Sequence, residues 1–123
     1  AAVKALVEDG SDFVYIHVEA PDEMGHQGSV ENKVTSIEYL DSRVIRPLYK
    51  ALAASGEDFR ILVMPDHPTP IRLRTHTGDP VPYLLYDSTK AAGTGVLYNE
   101  EAAKTTGVYI GHGHTLIDKL LEK

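Results

Sequence analysis

The sequence predicts an α/β fold with a mainly parallel sheet and one edge strand. Two short runs rich in β-branched, apolar and aromatic residues, Phe13–Glu19 and Phe59–Met64, read as buried strands. Between them, apolar residues recur at three- and four-residue steps, the mark of a long amphipathic helix. Strand, helix and strand in that order make a βαβ unit, which sets the two strands parallel with a right-handed crossover. A third run, Val81–Tyr86, follows Pro80 and contains Pro82. Proline cannot donate to a ladder, so this run is expected at an edge.

In chain order, Ala1–Glu8 gives a short helical pattern closed by Gly10. Phe13–Glu19 is apolar or aromatic at nearly every position, as in a sheet covered on both faces. Pro21–Gly28 holds two glycines without strong periodicity and reads as a loop. Ser29 is a good N-cap, with Glu31 beside the positive end of the helix dipole. Val30, Val34, Ile37, Leu40, Val44, Leu48 and Leu52 then form one apolar stripe. Pro47 lies inside it and predicts a kink or break, and Gly56 closes the helix. Asp66–Asp79 is long for a simple connection, and such loops are often functional. Ala91–Gly95 reads as a flexible loop, Asn99 caps a helix through Lys104, and Leu116–Leu121 forms a last helix. No repeat, low-complexity tract or long linker is present, so one domain is expected over 1–123.

Composition narrows the function. The 123 residues are 42% hydrophobic and 24% charged, which suits a soluble globular domain with a modest core. No apolar run is long enough to span a membrane. The start lacks the apolar stretch of a signal peptide and reads as the middle of a helix. With no cysteine, disulfides and thiolate metal sites are excluded, which suits a cytoplasmic setting. The net charge of −6 argues against nucleic acid or an anionic membrane as partner. An anionic substrate would need a local reversal of the field, which bound divalent cations supply.

Each of the first two strands is followed by an Asp and a His: Asp22 and His26 after the first, Asp66 and His67 after the second. A third histidine, His76, follows. Open α/β sheets place their chemistry at such strand ends. Any one of these residues alone is most simply a turn former or a backbone-bonded histidine. Together they suit Zn²⁺, Mn²⁺ or a similar ion, since imidazole and carboxylate are present without thiolate. Five such groups on converging loops suffice for two ions, the arrangement used in phosphoryl displacement. Arg72 and Arg74 carry the forked guanidinium that recognises phosphate, or form a solvent-facing pair. Thr75 and Thr77 either hold His76 by hydrogen bonds or are ordinary loop residues. His17 is expected in the core, with Glu19 near the site. His112 and His114 read as a loop before the last helix.

The segments His17-Val18-Glu19-Ala20-Pro21-Asp22-Glu23-Met24-Gly25-His26, Met64-Pro65-Asp66-His67-Pro68-Thr69-Pro70 and Leu73-Arg74-Thr75-His76-Thr77-Gly78-Asp79-Pro80-Val81-Pro82 resemble the archaeal-type cofactor-independent phosphoglycerate mutases. These are metalloenzymes of the alkaline phosphatase superfamily. The resemblance runs through Tyr98-Asn99-Glu100 and implies part of an alkaline-phosphatase-like αβα sandwich. It also implies interconversion of 2- and 3-phosphoglycerate through a phosphoserine, with two divalent ions of manganese, zinc, magnesium or cobalt. By this likeness Asp22, His26 and His76 hold one ion, and Asp66 and His67 contribute to the other. The serines here, Ser11, Ser29, Ser36, Ser42, Ser55 and Ser88, do not match the setting of the family's nucleophile. The chain is therefore expected to be the carboxyl-terminal part of the enzyme, without the nucleophile-bearing part and the inserted lobe, and inactive alone. A phosphatase or other phosphoester hydrolase of the same superfamily is the alternative enzyme. A non-catalytic fragment that binds only metal or a partner, a second copy included, is the alternative of another class. An uncovered apolar face would favour such association.

Overall fold

The computed structural model describes residues 1–90, 93 and 95–122. Of the loop expected over 91–95, residues 91, 92 and 94 lie outside the described residues. The chain forms two compact units, Ala1–Glu57 with Thr69–Gly78, and Asp58–Pro68 with Asp79–Lys123. No helix among the described residues is long and apolar enough to cross a membrane.

The first unit is helical. Helix α1 spans Ala2–Val7, and Gly10 follows at φ 74°. Helix α2 spans Ala20–Gln27, where a loop is expected from the sequence. Its chemistry is nevertheless that of a helix. Pro21 stands in the first turn, where its missing N–H costs nothing. Asp22 and Glu23 face the positive end of the dipole, and Gly28 ends the helix at φ 71°. What it lacks is an apolar stripe, the feature by which helices are most readily recognised.

Helix α3, Val30–Leu40, starts at Ser29, whose hydroxyl accepts from the Asn32 N–H at 3.3 Å. Helix α4, Arg46–Ser55, ends at Gly56 with φ 79°. Between them Asp41–Ile45 forms one π-helical turn, in which the Arg46 N–H reaches back five residues to the Asp41 carbonyl. The cause is Pro47: it has no N–H for the Arg43 carbonyl, and its ring crowds the preceding turn. The helix widens there rather than breaking. Helix α2 packs on α3, and α1 on α4. Of the predicted stripe, Leu52 is buried, while Val30 is 62% exposed and Val34 and Ile37 are also exposed.

Residues 13–19, expected as the first strand, pair with no strand among the described residues. Phe13, Tyr15, Ile16 and Val18 are exposed. An extended segment becomes a strand only when a neighbour takes its N–H and C=O groups. His17 accordingly lies outside any core. It stacks on Tyr15 at 6.3 Å, with Nε2 3.9 Å from the Glu19 carboxylate.

The second unit holds the only described ladder. Strand β1, Arg60–Val63, pairs antiparallel with β2, Leu84–Asp87, in the register Arg60↔Asp87 and Val63↔Leu84. The expected parallel βαβ pairing is not seen among the described residues; β1 pairs instead with the chain returning after Pro82. The β2 run begins past both prolines, as their missing donors require. Helices α5, Glu100–Thr105, and α6, Leu116–Leu121, complete the unit, with Asn99 capping α5 through the Ala102 N–H at 2.8 Å. Leu116, 4% exposed, is buried in it. Arg60 ties the unit together, donating to Asp87 at 2.8 Å and to the carbonyls of Leu120 and Glu122 at the end of α6. The Tyr98 hydroxyl lies 3.2 Å from the Pro82 carbonyl, and burial, then the Glu100 charge, pushes its pKa up to about 12.

Asp87 accepts from the Thr89 hydroxyl at 2.6 Å, the Thr89 N–H at 3.0 Å and Arg60. These bonds, those from Thr89 foremost, hold its carboxyl well below the usual carboxylate range. A depressed folded-state pKa gives stability that is fully present above the unfolded value, about 4, and is lost as pH falls below it. Asp87→Asn is therefore expected to destabilise the protein at neutral pH. The gap to the wild type should close on acidification, as read by urea titrations at a series of pH values.

Candidate metal centre

Asp22 and His26 are four residues apart on α2, so both side chains rise from one face of the helix. The third member, His76, arrives on the segment Thr69–Gly78, which docks on that face. Docking requires a helix without a side chain at position 25. A Cβ on Gly25 would lie 2.6 Å from the Thr69 carbonyl oxygen and 2.9 Å from its Cγ2. Gly28 serves the next turn, where the Arg74 side chain lies against it, with Nε 2.4 Å from where a Cβ would be. Lys33 Nζ donates to the Thr69 carbonyl at 2.7 Å. Thr69 itself is only 5% exposed.

Three donor groups converge as a result, with one ligand atom of each within 4.8 Å of the others. His26 Nε2 and His76 Nε2 are 3.1 Å apart. Asp22 Oδ2 is 3.3 Å from His26 Nε2, and Asp22 Oδ1 is 3.2 Å from His76 Nε2. The edges of a tetrahedron around an ion bonded at about 2.0–2.1 Å are about 3.3 Å; the imidazole pair and each imidazole's approach to its nearer Asp22 oxygen are close to that length, which suits a divalent ion. Its side chains are 35% (Asp22), 41% (His26) and 49% (His76) exposed, leaving the centre open to solvent.

The proton on His26 is placed by its neighbour. Its Nδ1 lies 2.9 Å from the Arg74 carbonyl oxygen, which can only accept, so Nδ1 carries the hydrogen and Nε2 presents a lone pair to the cluster. A second imidazole nitrogen at 3.1 Å is tolerated only if a proton or a cation lies between the two. Arg74 holds its carbonyl in place from a left-handed backbone, φ 54°, reached at the end of a turn in which its N–H bonds the Pro70 carbonyl at 2.9 Å. An arginine in that region is strained, and such strain gathers at functional sites.

The remaining candidates separate. Asp66 and His67 lie just past the carboxyl end of β1, in the second unit. The His67 N–H donates to Asp66 Oδ1 at 3.0 Å, and His67 Nε2 is 3.3 Å from Asp66 Oδ2. No third donor groups with them among the described residues. Arg72 and Arg74 are exposed, and Arg74 enters the centre through its backbone. The His112 and His114 rings lie tilted, 5.8 Å apart; where a loop is expected from the sequence, Gly113–Thr115 forms a 3-10 turn leading into α6. Sequence reasoning singled out Thr75 and Thr77 for support and missed Thr69, whose hydroxyl donates to Asp22 Oδ1 at 2.5 Å. Its one sequence signal is its position between Pro68 and Pro70.

A helix and a loop bring two imidazoles and a carboxylate together as a candidate site for a divalent ion in a chain of mixed α/β structure. The chain belongs to the Metalloenzyme superfamily, whose family model matches residues 1–119. It is similar to the 2,3-bisphosphoglycerate-independent phosphoglycerate mutase of Methanosarcina acetivorans, 46% identical over 99% of this chain and 30% of that protein. A Geobacter sulfurreducens protein named "Probable 2,3-bisphosphoglycerate-independent phosphoglycerate mutase" is 44% identical over all of this chain and 30% of its own length. The chain thus spans about 30% of the length of these curated relatives. No solved structure matches it.

Gly25→Ala is expected to push the Thr69 segment off α2, at a cost of about 1–3 kcal/mol. Urea titration should show the loss of stability, and histidine NMR should show His26 and His76 parting.

Proposed function

We propose that the chain is part of a phosphoglycerate mutase that interconverts 2- and 3-phosphoglycerate through a phosphoserine. The observation that carries this reading is the convergence of Asp22, His26 and His76 in a chain 46% identical, over nearly its whole length, to a mutase. In this reading those three residues hold one divalent ion, and Asp66 and His67 contribute to a second. Such ions, when bound, supply positive charge that eases ionisation of a serine hydroxyl and neutralises phosphoryl oxygens. Arg72 and Arg74 receive the substrate's phosphate. The substrate is a small phosphorylated acid and the setting cytoplasmic. In the longer enzyme, residues 13–19 supply a strand of an alkaline-phosphatase-like αβα sandwich with a mainly parallel sheet.

The engagement of five of the six serines supports a nucleophile drawn from sequence outside these residues. Ser29 accepts from the Asn32 N–H and Ser88 from the Phe59 N–H. Ser36, Ser42 and Ser55 donate to the carbonyls of Lys33, Glu38 and Leu52. These hydroxyls cap and brace helices and strands. What this chain contributes is the grip on the ions and the orientation of the ligands: Arg74 keeps the His26 proton on Nδ1, and α2 sets Asp22 and His26 on one face.

The test compares exchange between 2- and 3-phosphoglycerate with release of phosphate, in the longer protein that carries this chain. Exchange without release is expected, and release in its place would make the enzyme a hydrolase. His76→Ala should lower the metal content from two ions per chain to one, measured by elemental analysis after dialysis. Unchanged content would remove the triad from the metal centre. The 123 residues alone are expected to bind metal without turning over either phosphoglycerate, and turnover by them would place the nucleophile within this chain.

A further inference from the structure

We infer that Thr69 is a positioning residue for the metal centre: its hydroxyl fixes the rotation of the Asp22 carboxylate so that a donor oxygen faces the two imidazoles. The inference rests on reading Asp22, His26 and His76 as metal ligands. Asp22 stands in the first turn of α2 and its side chain is about one-third open to water. The terminal torsion of an aspartate is soft, so nothing in the helix itself decides which way the carboxylate turns. The Thr69 hydroxyl holds it, at 2.5 Å from Oδ1, the separation of a charge-assisted O–H···O⁻ bond.

The hydroxyl cannot swing away, because Thr69 is held on several sides. Pro70 restricts its backbone to the extended region. Its carbonyl is bonded by the Lys33 ammonium at 2.7 Å. Its carbonyl and Cγ2 fill the space that Gly25 leaves, and the residue is buried. A threonine so confined acts as a fixed donor, and its hydroxyl bonds a residue of the metal cluster. Valine has nearly the same shape and no donor. Serine keeps the donor and loses only the methyl group against Gly25.

Titration of the full chain with Mn²⁺ or Zn²⁺ alone, by calorimetry, separates the outcomes. Thr69→Val is expected to weaken binding about 10- to 100-fold, and Thr69→Ser to stay within about threefold of the wild type. Asp22→Asn serves as the reference for a lost ligand. Metal-free melting temperatures of all variants report packing alone. Binding lost in Asp22→Asn but kept within about twofold in Thr69→Val would overturn the role of Thr69 and leave the ligands standing. Equal weakening in Thr69→Val and Thr69→Ser, with equal loss of metal-free melting temperature, would reduce Thr69 to a packing residue and overturn it as well. A wild-type chain that takes up no ion, or takes it up equally after Asp22→Asn, would overturn the ligand reading itself.

Discussion

The close approach of Thr69–Gly78 to helix α2 is the constraint on which the candidate site depends. Neither element carries the whole donor set: α2 holds Asp22 and His26, and the segment holds His76. They meet because Gly25 has no side chain, so the Thr69 carbonyl and methyl group lie where one would be. The same approach brings the Arg74 carbonyl to His26 and the Thr69 hydroxyl to Asp22. Orientation of two of the three donors is thus a by-product of docking, and a methyl group at position 25 would disturb atoms it never touches.

What the sequence reveals is the chemistry of neighbours. Ser29, Pro47 and Gly56 mark the start, the irregularity and the end of the long helical run, because caps, prolines and left-handed glycines act within one turn. Asn99 does the same for α5. The donors Asp22, His26 and His76 were legible through residue type and spacing. Residues 13–19 were not, since a strand is a property of a pair and its partner lies outside the sequence window that composition reads. The antiparallel partner of β1 escaped notice for the same reason. Helix α2 was missed although Pro21, Asp22 and Gly28 announced it: polar on most sides, it lacks the periodicity that outweighs such signals. Thr69 acquires its role only from contacts across the fold, so no local rule points to it.

Coverage of apolar surface follows a related pattern. Leu52 and Leu116 are buried apolar side chains, one in each unit. Val30, Val34 and Ile37 keep the spacing of a helix face meant for burial, and yet they are exposed. The stripe and residues 13–19 are apolar surfaces of the kind that helices and strands present to one another in layered domains.

The hydrogen bonds and contacts that assemble the donor cluster join residues 36, 47, 48 and 50 positions apart. Helices α2 and α3 form from near neighbours, whereas bringing Thr69–Gly78 back to them restricts a loop of that length, at a conformational cost on the order of a few kcal/mol. By sequence separation alone, the cluster is expected to form after the helices it joins. An opening in which the returning segment lifted away while α2 and α3 stayed packed would disperse the donors without unfolding a helix.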